Sequence, residues 1–228
     1  MTTGVTAVMA VRDGAAYLDE ALDSVLAEPE ITETIVVDDG SSDATPAILL
    51  GYSGRVTVLR REPRGQAAAL NEAIAAASSP MLAFQDADDV WPPGRTARLL
   101  AALVDGADVA SGPLEQFLSP DLPPAAAARV RLVQSSHPAP LLATSLIRRD
   151  AFAIVGPLDT TLRTGANIDW AARAGSAGLR FATVGDITLR RRIHAANIGR
   201  QIGATARNDD LFSVLRAHLD RRRTTGSS

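Results

Sequence analysis

Short continuous apolar runs and longer stretches with a helical repeat take turns along the first 110 residues. Val5 to Val11 is apolar and is stopped by Arg12-Asp13-Gly14. Tyr17, Leu18, Ala21, Leu22, Val25 and Leu26 then recur at helical spacing, with Asp13 a plausible cap. Thr34 to Val37 is a second short run, closed by Asp38-Asp39-Gly40-Ser41-Ser42. Val56 to Leu59 is a third, followed by an Ala-rich helical stretch from about Gln66 to Ala77. Met81 to Gln85 is a fourth, and a helix from about Gly94 to Val104 follows, entered through Pro92-Pro93. Strands of this kind, separated by helical stretches, predict an α/β fold with a parallel, doubly wound sheet.

The second half is less regular. Residues 112–141 carry six prolines and little strand pattern, and they read as a long, partly helical excursion. Ala143 to Ile147 reads as a strand, Ile168 to Ala177 as a helix, and Phe181 to Val184 and Ile187 to Arg190 as short strands. Asp209 to Arg222 reads as an amphipathic terminal helix with Leu211, Val214, Leu215 and Leu219 on one stripe, and Thr224 to Ser228 as a disordered tail. From Phe181 onward there are nine Arg against four Asp. That stripe either docks on the core or meets an anionic membrane surface, leaving peripheral membrane association open.

Composition removes several chemistries. A length of 228 residues suits one large domain, or one domain with a subdomain, with a proper core, and a net charge of −3 calls for no nucleic-acid partner. No apolar stretch approaches the roughly 18 residues that cross a bilayer. The start of the chain lacks the basic and apolar regions of a secretory signal, so a cytoplasmic location is expected. With no cysteine there are no disulfides, thiolate zinc sites or cysteine nucleophiles. All 23 basic residues are Arg, and without Lys the Walker P-loop, the kinase strand lysine and a pyridoxal-phosphate Schiff base are excluded.

The pentad Gln85-Asp86-Ala87-Asp88-Asp89 follows the fourth strand, and no Lys or Arg lies between Arg64 and Arg95 to neutralise it locally. Such a cluster is met by a divalent cation, by polyol hydroxyls or by water; the bland alternative is a solvated turn. In an open parallel sheet ligands bind outside the carboxyl ends of the strands. Asp38-Asp39 and Asp86-Asp88 both stand at such ends and should project from one edge. Two acidic clusters on one cleft suit a nucleoside diphosphate bound with a metal: one cluster holds the ion, the other accepts from ribose or base. That arrangement needs no Gly-rich phosphate loop.

The run from Val5 through Trp91 resembles the nucleotide-binding half of family 2 glycosyltransferases. The matching pieces are Arg12-Asp13-Gly14 with Tyr17-Leu18 and Leu22-Ser24-Val25-Leu26, then Val36 to Asp43, then Gly65 to Asn71, then Asp86-Ala87-Asp88-Asp89-Val90-Trp91-Pro92. Weaker similarity continues through Leu146 to Arg149, Val155 to Asp159 and Arg190 to His194. The resemblance implies a GT-A fold: a Rossmann-like, mostly parallel sheet flanked by helices, with a smaller acceptor-side C-terminal region. Within a single domain over 1–228, residues 1–110 would bind the nucleotide sugar, 111–200 would build the acceptor wall and supply the base, and 201–228 would be terminal helix and tail.

It also implies roles. Asp39 would accept from the nucleobase edge, with Asp38 beside it as a structural residue, and Ala10, Val11 and Arg12 would flank the base. Asp86 would meet the ribose, and Asp88 would bind Mg²⁺ or Mn²⁺ on the diphosphate. Arg64 would contact donor phosphate or solvent, and His194 would complete the metal shell. The implied reaction moves a sugar, with a UDP-sugar favoured, onto an acceptor hydroxyl, with inversion. Counting back from Arg173, the family's base position holds Asn167, which takes no proton; Asp169, two residues on, is the candidate base. The rivals are a catalytically weak nucleotide-sugar binder or scaffold, motivated by Asn167, and a sugar nucleotidyltransferase. The latter ordinarily carries a Gly-rich N-terminal loop that is missing here. The acceptor class, whether glycan, lipid-linked, peptide or small natural product, is not readable.

Overall fold

The computed structural model describes residues 4–132 and 141–197. The four apolar runs are strands β1 (Val5–Val11), β2 (Ile31–Asp38), β3 (Thr57–Arg60) and β4 (Met81–Asp86), paired in parallel in the order β3-β2-β1-β4. Helices α1 (Leu18–Leu26), α3 (Gln66–Ala76) and α4 (Arg95–Ala102) stand where the periodicity places them. A further helix, α2 (Thr45–Gly51), is absent from the sequence reading. It is seven residues long and buries only Thr45 and Leu49, too little to set up an apolar repeat.

Beyond β4 the sheet changes direction. β7 (Ser145–Arg148) joins β4 antiparallel, β5 (Val109–Ser111) joins β7 antiparallel, and β8 (Phe181–Thr183) runs parallel to β5. The central sheet thus has seven strands in the order β3-β2-β1-β4-β7-β5-β8. β6 (Leu114–Leu118) and β9 (Leu189–Ile193) form a separate two-stranded parallel ribbon. The expectation of little strand in 112–141 is corrected here: Leu-Glu-Gln-Phe-Leu becomes β6 because β9 supplies an edge from 75 residues away. β9 itself lies later than the expected Ile187 to Arg190. α5 (Pro124–Ala127), α6 (Asp150–Val155) and α7 (Ala166–Ser176) complete the elements. The terminal helix and tail expected after Asp209 lie outside the described residues.

Alternation along the strands divides the core. Val8, Ile35, Val37, Leu82 and Phe84 face α3, α6 and α7, where Phe152 stacks on Trp170 at 4.4 Å. Met9, Val11 and Val36 face Leu18, Leu22 and Leu49, while Val5, Ala7 and Ala83 face Leu99 and Leu103.

Two buried charges attach the halves of the molecule. Glu28, after α1, accepts the amides of Gly94 and Thr96 at 2.6 and 2.7 Å, supplying α4 with the N-terminal acceptor its own sequence lacks. Arg95 is fully buried. Its Nε donates to the Thr188 carbonyl at 2.6 Å, its Nη2 to the Ala143 and Ser145 carbonyls at 2.9 and 3.2 Å, and its guanidinium lies 4.1 Å over the Trp91 ring.

Candidate functional site

Strand register brings the carboxyl ends together. Ala10 stands beside Val37 on one side and Asp86 on the other, and Val11 stands beside Asp38. The two acidic clusters therefore leave the same sheet edge.

Asp38 and Asp39 do different work. Asp38 is buried, accepts the Ser41 amide at 2.8 Å and lies 3.5 Å from the Arg60 guanidinium, so it holds its own turn. Asp39 accepts the Arg64 amide on Oδ1 at 2.7 Å and the Gly65 amide on Oδ2 at 2.8 Å. The loop entering α3 is thereby drawn over the end of β2, with Gly65 at φ +94, a conformation that favours glycine. Arg64 comes to Asp39 through its backbone, and its side chain is exposed, as is that of Arg12. A depression of about 280 Å³ lies here, lined by Val37, Asp39, Arg61, Arg64, Ala69 and Glu72 among others.

The pentad after β4 divides the same way. Asp86 is half-buried and accepts from the Gln66 amide nitrogen at 3.1 Å. Burial, and then the neighbouring Asp88, push its carboxyl up to about 6, while Arg191 and Gln66 pull the other way. Asp89 is buried, and burial with the charges of Asp86 and Asp88 raises it well above the carboxylate range. It accepts the Arg192 amide at 2.8 Å and so seats β9 against this loop. Asp88 points outward. Its Oδ2 lies 2.9 Å from His194 Nε2 and accepts from Asn197 Nδ2 at 3.0 Å. His194 Nδ1 accepts the Ala196 amide at 3.3 Å, which places the ring proton on Nε2, toward Asp88.

Several partners at this edge were not singled out from the sequence. Gln66 holds Asp86, and Asn197 shares Asp88 with His194. Tyr17, read as one apolar position of a helix, lays its ring 4.6 Å from that of His194 and donates its hydroxyl to Asp121 at 2.6 Å. Beyond that, Tyr17 stood in the sequence as one piece of the family resemblance, with no role given to it.

Asp169 stands elsewhere in the network. It is buried in the first turn of α7, and Arg173 Nε donates to its Oδ2 at 2.7 Å. Arg173 in turn donates to the carbonyls of Val155 and Pro157 at 2.6 and 2.7 Å, and Trp170 Nε1 to that of Gly156 at 3.0 Å. Asn71 exchanges two 2.9 Å bonds with Leu158. Four successive residues before the segment leading to α7 are thus tied by side chains. Asn167 keeps its oxygen on the next amide, that of Ile168, at 2.9 Å.

Among the described residues no three His, Asp or Glu side chains are grouped to hold an ion by themselves. Asp88 and His194 together offer one carboxylate and one imidazole at a single point. That donor set would fit a Mg²⁺ or Mn²⁺ ion only with the ring proton moved from Nε2 to Nδ1, freeing Nε2 to coordinate, and with the other ligands taken from phosphate oxygens and water.

Comparison with known proteins identifies the family and the fold. The Glycosyl transferase family 2 profile matches residues 6–132. The succinoglycan biosynthesis protein ExoU of Rhizobium meliloti (strain 1021) is 32% identical over 212 residues, 80% of this chain and 60% of ExoU. S. aureus TarS in complex with UDP-GlcNAc superposes with a TM-score of 0.78 at 16% identity, over 96% of this chain and 66% of that one. The mannosyltransferase PcManGT of Pyrobaculum calidifontis, in complex with GDP-Man and Mn²⁺, gives 0.73 at 19% identity, over 95% and 64% of the two chains. This chain therefore spans about two thirds or less of each of these proteins.

Proposed function

We infer the reaction from one premise: this chain belongs to glycosyl transferase family 2, and its sheet is of the GT-A type. The proposed activity is transfer of a sugar from a nucleoside diphosphate donor, with UDP favoured, to an acceptor hydroxyl with inversion. The observation that carries it is the meeting of Asp88 and His194 at 2.9 Å on the edge shared with Asp39 and Asp86.

In this reading Asp39 keeps lone pairs for a base N–H after accepting its two loop amides, and Ala10, Val11 and Arg12 border the base. Asp86, held by Gln66, faces the ribose hydroxyls. Asp88 and His194 would hold Mg²⁺ or Mn²⁺, which when bound supplies positive charge to the leaving diphosphate. The glycosidic C–O bond breaks with its electron pair left on the β-phosphate oxygen, and the acceptor oxygen bonds to the anomeric carbon from the opposite face. Arg64, whose side chain is exposed, would contact a donor phosphate.

A thermal-shift series with UDP-GlcNAc, UDP-glucose and GDP-mannose, with and without Mn²⁺, tests this. A donor at 100 times its Kd adds about 2.7 kcal/mol of stability. The shift is expected in full above pH 6 and to shrink as pH falls through 6. Free Asp86, raised to about 6, then takes a proton that a carboxylate accepting from ribose hydroxyls must release. No shift with any nucleotide sugar at pH 7.5 would remove the donor site.

The acceptor's proton has two readings. Asp169 is the candidate general base on α7; its ion pair with Arg173 favours a second reading, in which it positions the 155–158 loop. Asp169→Asn and Arg173→Gln separate them in single-turnover donor hydrolysis. A base lost to Asn lowers the rate by about 10²–10⁴-fold and removes its limb of the pH–rate profile, while Arg173→Gln costs less and keeps that limb, displaced by loss of the ion pair. A positioning pair gives equal, non-additive losses with an unchanged profile.

A further inference from the structure

Tyr17, at the entry to α1, meets residues far along the chain. Its ring lies 4.6 Å from that of His194, tilted by 50°, and its hydroxyl donates to Asp121 at 2.6 Å. Of the three arginines of β9, Arg192 lies 4.8 Å from the centre of the Tyr17 ring and pairs with Glu20, while Arg190 pairs with Glu115. Asp121 follows β6 in a loop that is itself tied to β9. The Ser119 amide donates to the Ile193 carbonyl at 3.0 Å, the Leu122 amide to the Ser119 carbonyl at 3.0 Å, and the Leu122 side chain is buried. Tyr17 is thus fixed both at its hydroxyl and against its ring.

Three contacts orient the His194 imidazole. Nε2–H donates to Asp88 Oδ2 at 2.9 Å, Nδ1 accepts the Ala196 amide at 3.3 Å, and the Tyr17 ring packs against it. The His194 amide also donates to Asn197 Oδ1 at 2.8 Å, which holds the main chain but leaves the ring free to turn about its side-chain bonds. Coordination through Nε2 needs the ring proton on Nδ1 instead. A protonated Nδ1 cannot accept the Ala196 amide, and a bare Nε2 no longer donates to Asp88. Both ring hydrogen bonds are therefore given up in the same step. The aromatic contact depends on the shape and face of the ring, not on which nitrogen carries the proton. Of the three, it alone survives in either tautomer.

We propose that Tyr17 is a positioning residue for His194: its ring, pinned by Asp121, keeps Nε2 aimed at Asp88 once the ring hydrogen bonds are gone. This rests on the metal and nucleotide reading above and adds to it a residue that acts through another side chain.

Mn²⁺ binding with UDP present, followed by electron paramagnetic resonance on wild type, Tyr17→Leu and Tyr17→Phe, tests the proposal. Tyr17→Leu keeps an apolar side chain and loses the ring, and Mn²⁺ binding is expected to weaken about 10-fold, as when an outer contact of a metal ligand is removed. Tyr17→Phe keeps the ring and loses only the bond to Asp121, with a loss of about 3-fold expected. UDP affinity without Mn²⁺ should stay the same in both variants, which a merely structural role would not predict. NMR of wild type gives a second test should Tyr17→Leu fail to fold. Cross-relaxation between the Tyr17 and His194 ring protons should persist when Mg²⁺ and UDP move the imidazole proton from Nε2 to Nδ1. Loss of that contact on loading would overturn the proposal. Equal Mn²⁺ affinity in wild type and Tyr17→Leu would do the same, as would an equal loss of UDP affinity without Mn²⁺. If Mn²⁺ binds while His194 keeps its proton on Nε2, the Tyr17 proposal fails and the donor reading stands. If wild type binds no Mn²⁺ with UDP, the metal reading fails and the Tyr17 role falls with it.

Discussion

Asp88→Ala is expected to lower sugar transfer about 10³-fold with saturating Mn²⁺, while the thermal midpoint moves little. A cation that stabilises a leaving diphosphate contributes several kcal/mol to the transition state, and each 1.36 kcal/mol is about tenfold in rate. Asp88 contributes little to the fold by comparison. Its carboxylate is about a third exposed, and its partners are two side chains of the 194–197 turn. Removing it leaves His194 and Asn197 short of one acceptor each, a loss of roughly 1 kcal/mol that water at the exposed edge reduces. The measurement is donor hydrolysis or transfer against Mn²⁺ concentration, beside a melting curve. Full Mn²⁺-dependent activity in Asp88→Ala would place the ion elsewhere. A collapse of the melting temperature would make Asp88 a folding residue.

The largest effect on stability is expected at Arg95. Arg95→Met should cost about 3–5 kcal/mol of unfolding free energy, a drop on the order of 10 °C in midpoint for a chain of this size. Burial lowers the Arg95 pKa to about 9, so the group is still charged at pH 7. Methionine would remove that buried charge, which is favourable, and would fill part of the space. It would also strand the carbonyls of Thr188, Ala143 and Ser145 and take the cation from the Trp91 ring. An unpaired buried acceptor costs about 1–3 kcal/mol, and three of them outweigh the desolvation recovered. Because those carbonyls belong to the segments leading into β7 and β9, the seating of β9 and of His194 should loosen as well. Urea unfolding of wild type and Arg95→Met gives the comparison; coincident curves would refute this account.

The legible parts of this protein are those specified over short distances along the chain. Val5–Val11, Met81–Asp86 and the helical stripe after Tyr17 declare themselves through runs and repeats of a few residues. Asp39 and Asp86 could be assigned to one edge because parallel strands must end on the same side. α2, α6 and β6 escaped the same reading. Each is seven residues or fewer, and β6 is a strand only because β9 lies beside it. Asp169 shows the boundary within one residue. Its i,i+4 spacing to Arg173 is written in the chain, but that Arg173 also grips the carbonyls of Val155 and Pro157 is not.

Hydrophobic period, an all-arginine basic set and two carboxylate pairs at strand ends were thus enough to define a parallel α/β sheet with an acidic ligand edge. Only the folded chain decides which polar groups on that edge are already taken. Asp88 meets His194 across 106 positions and Arg192 meets Glu20 across 172, while Arg191 is exposed. Periodicity acts over a turn or a pair of residues, whereas hydrogen-bond partnership is settled by whatever the sheet order brings within 3 Å, so the division of labour among the three carboxylates and the three arginines is a tertiary fact.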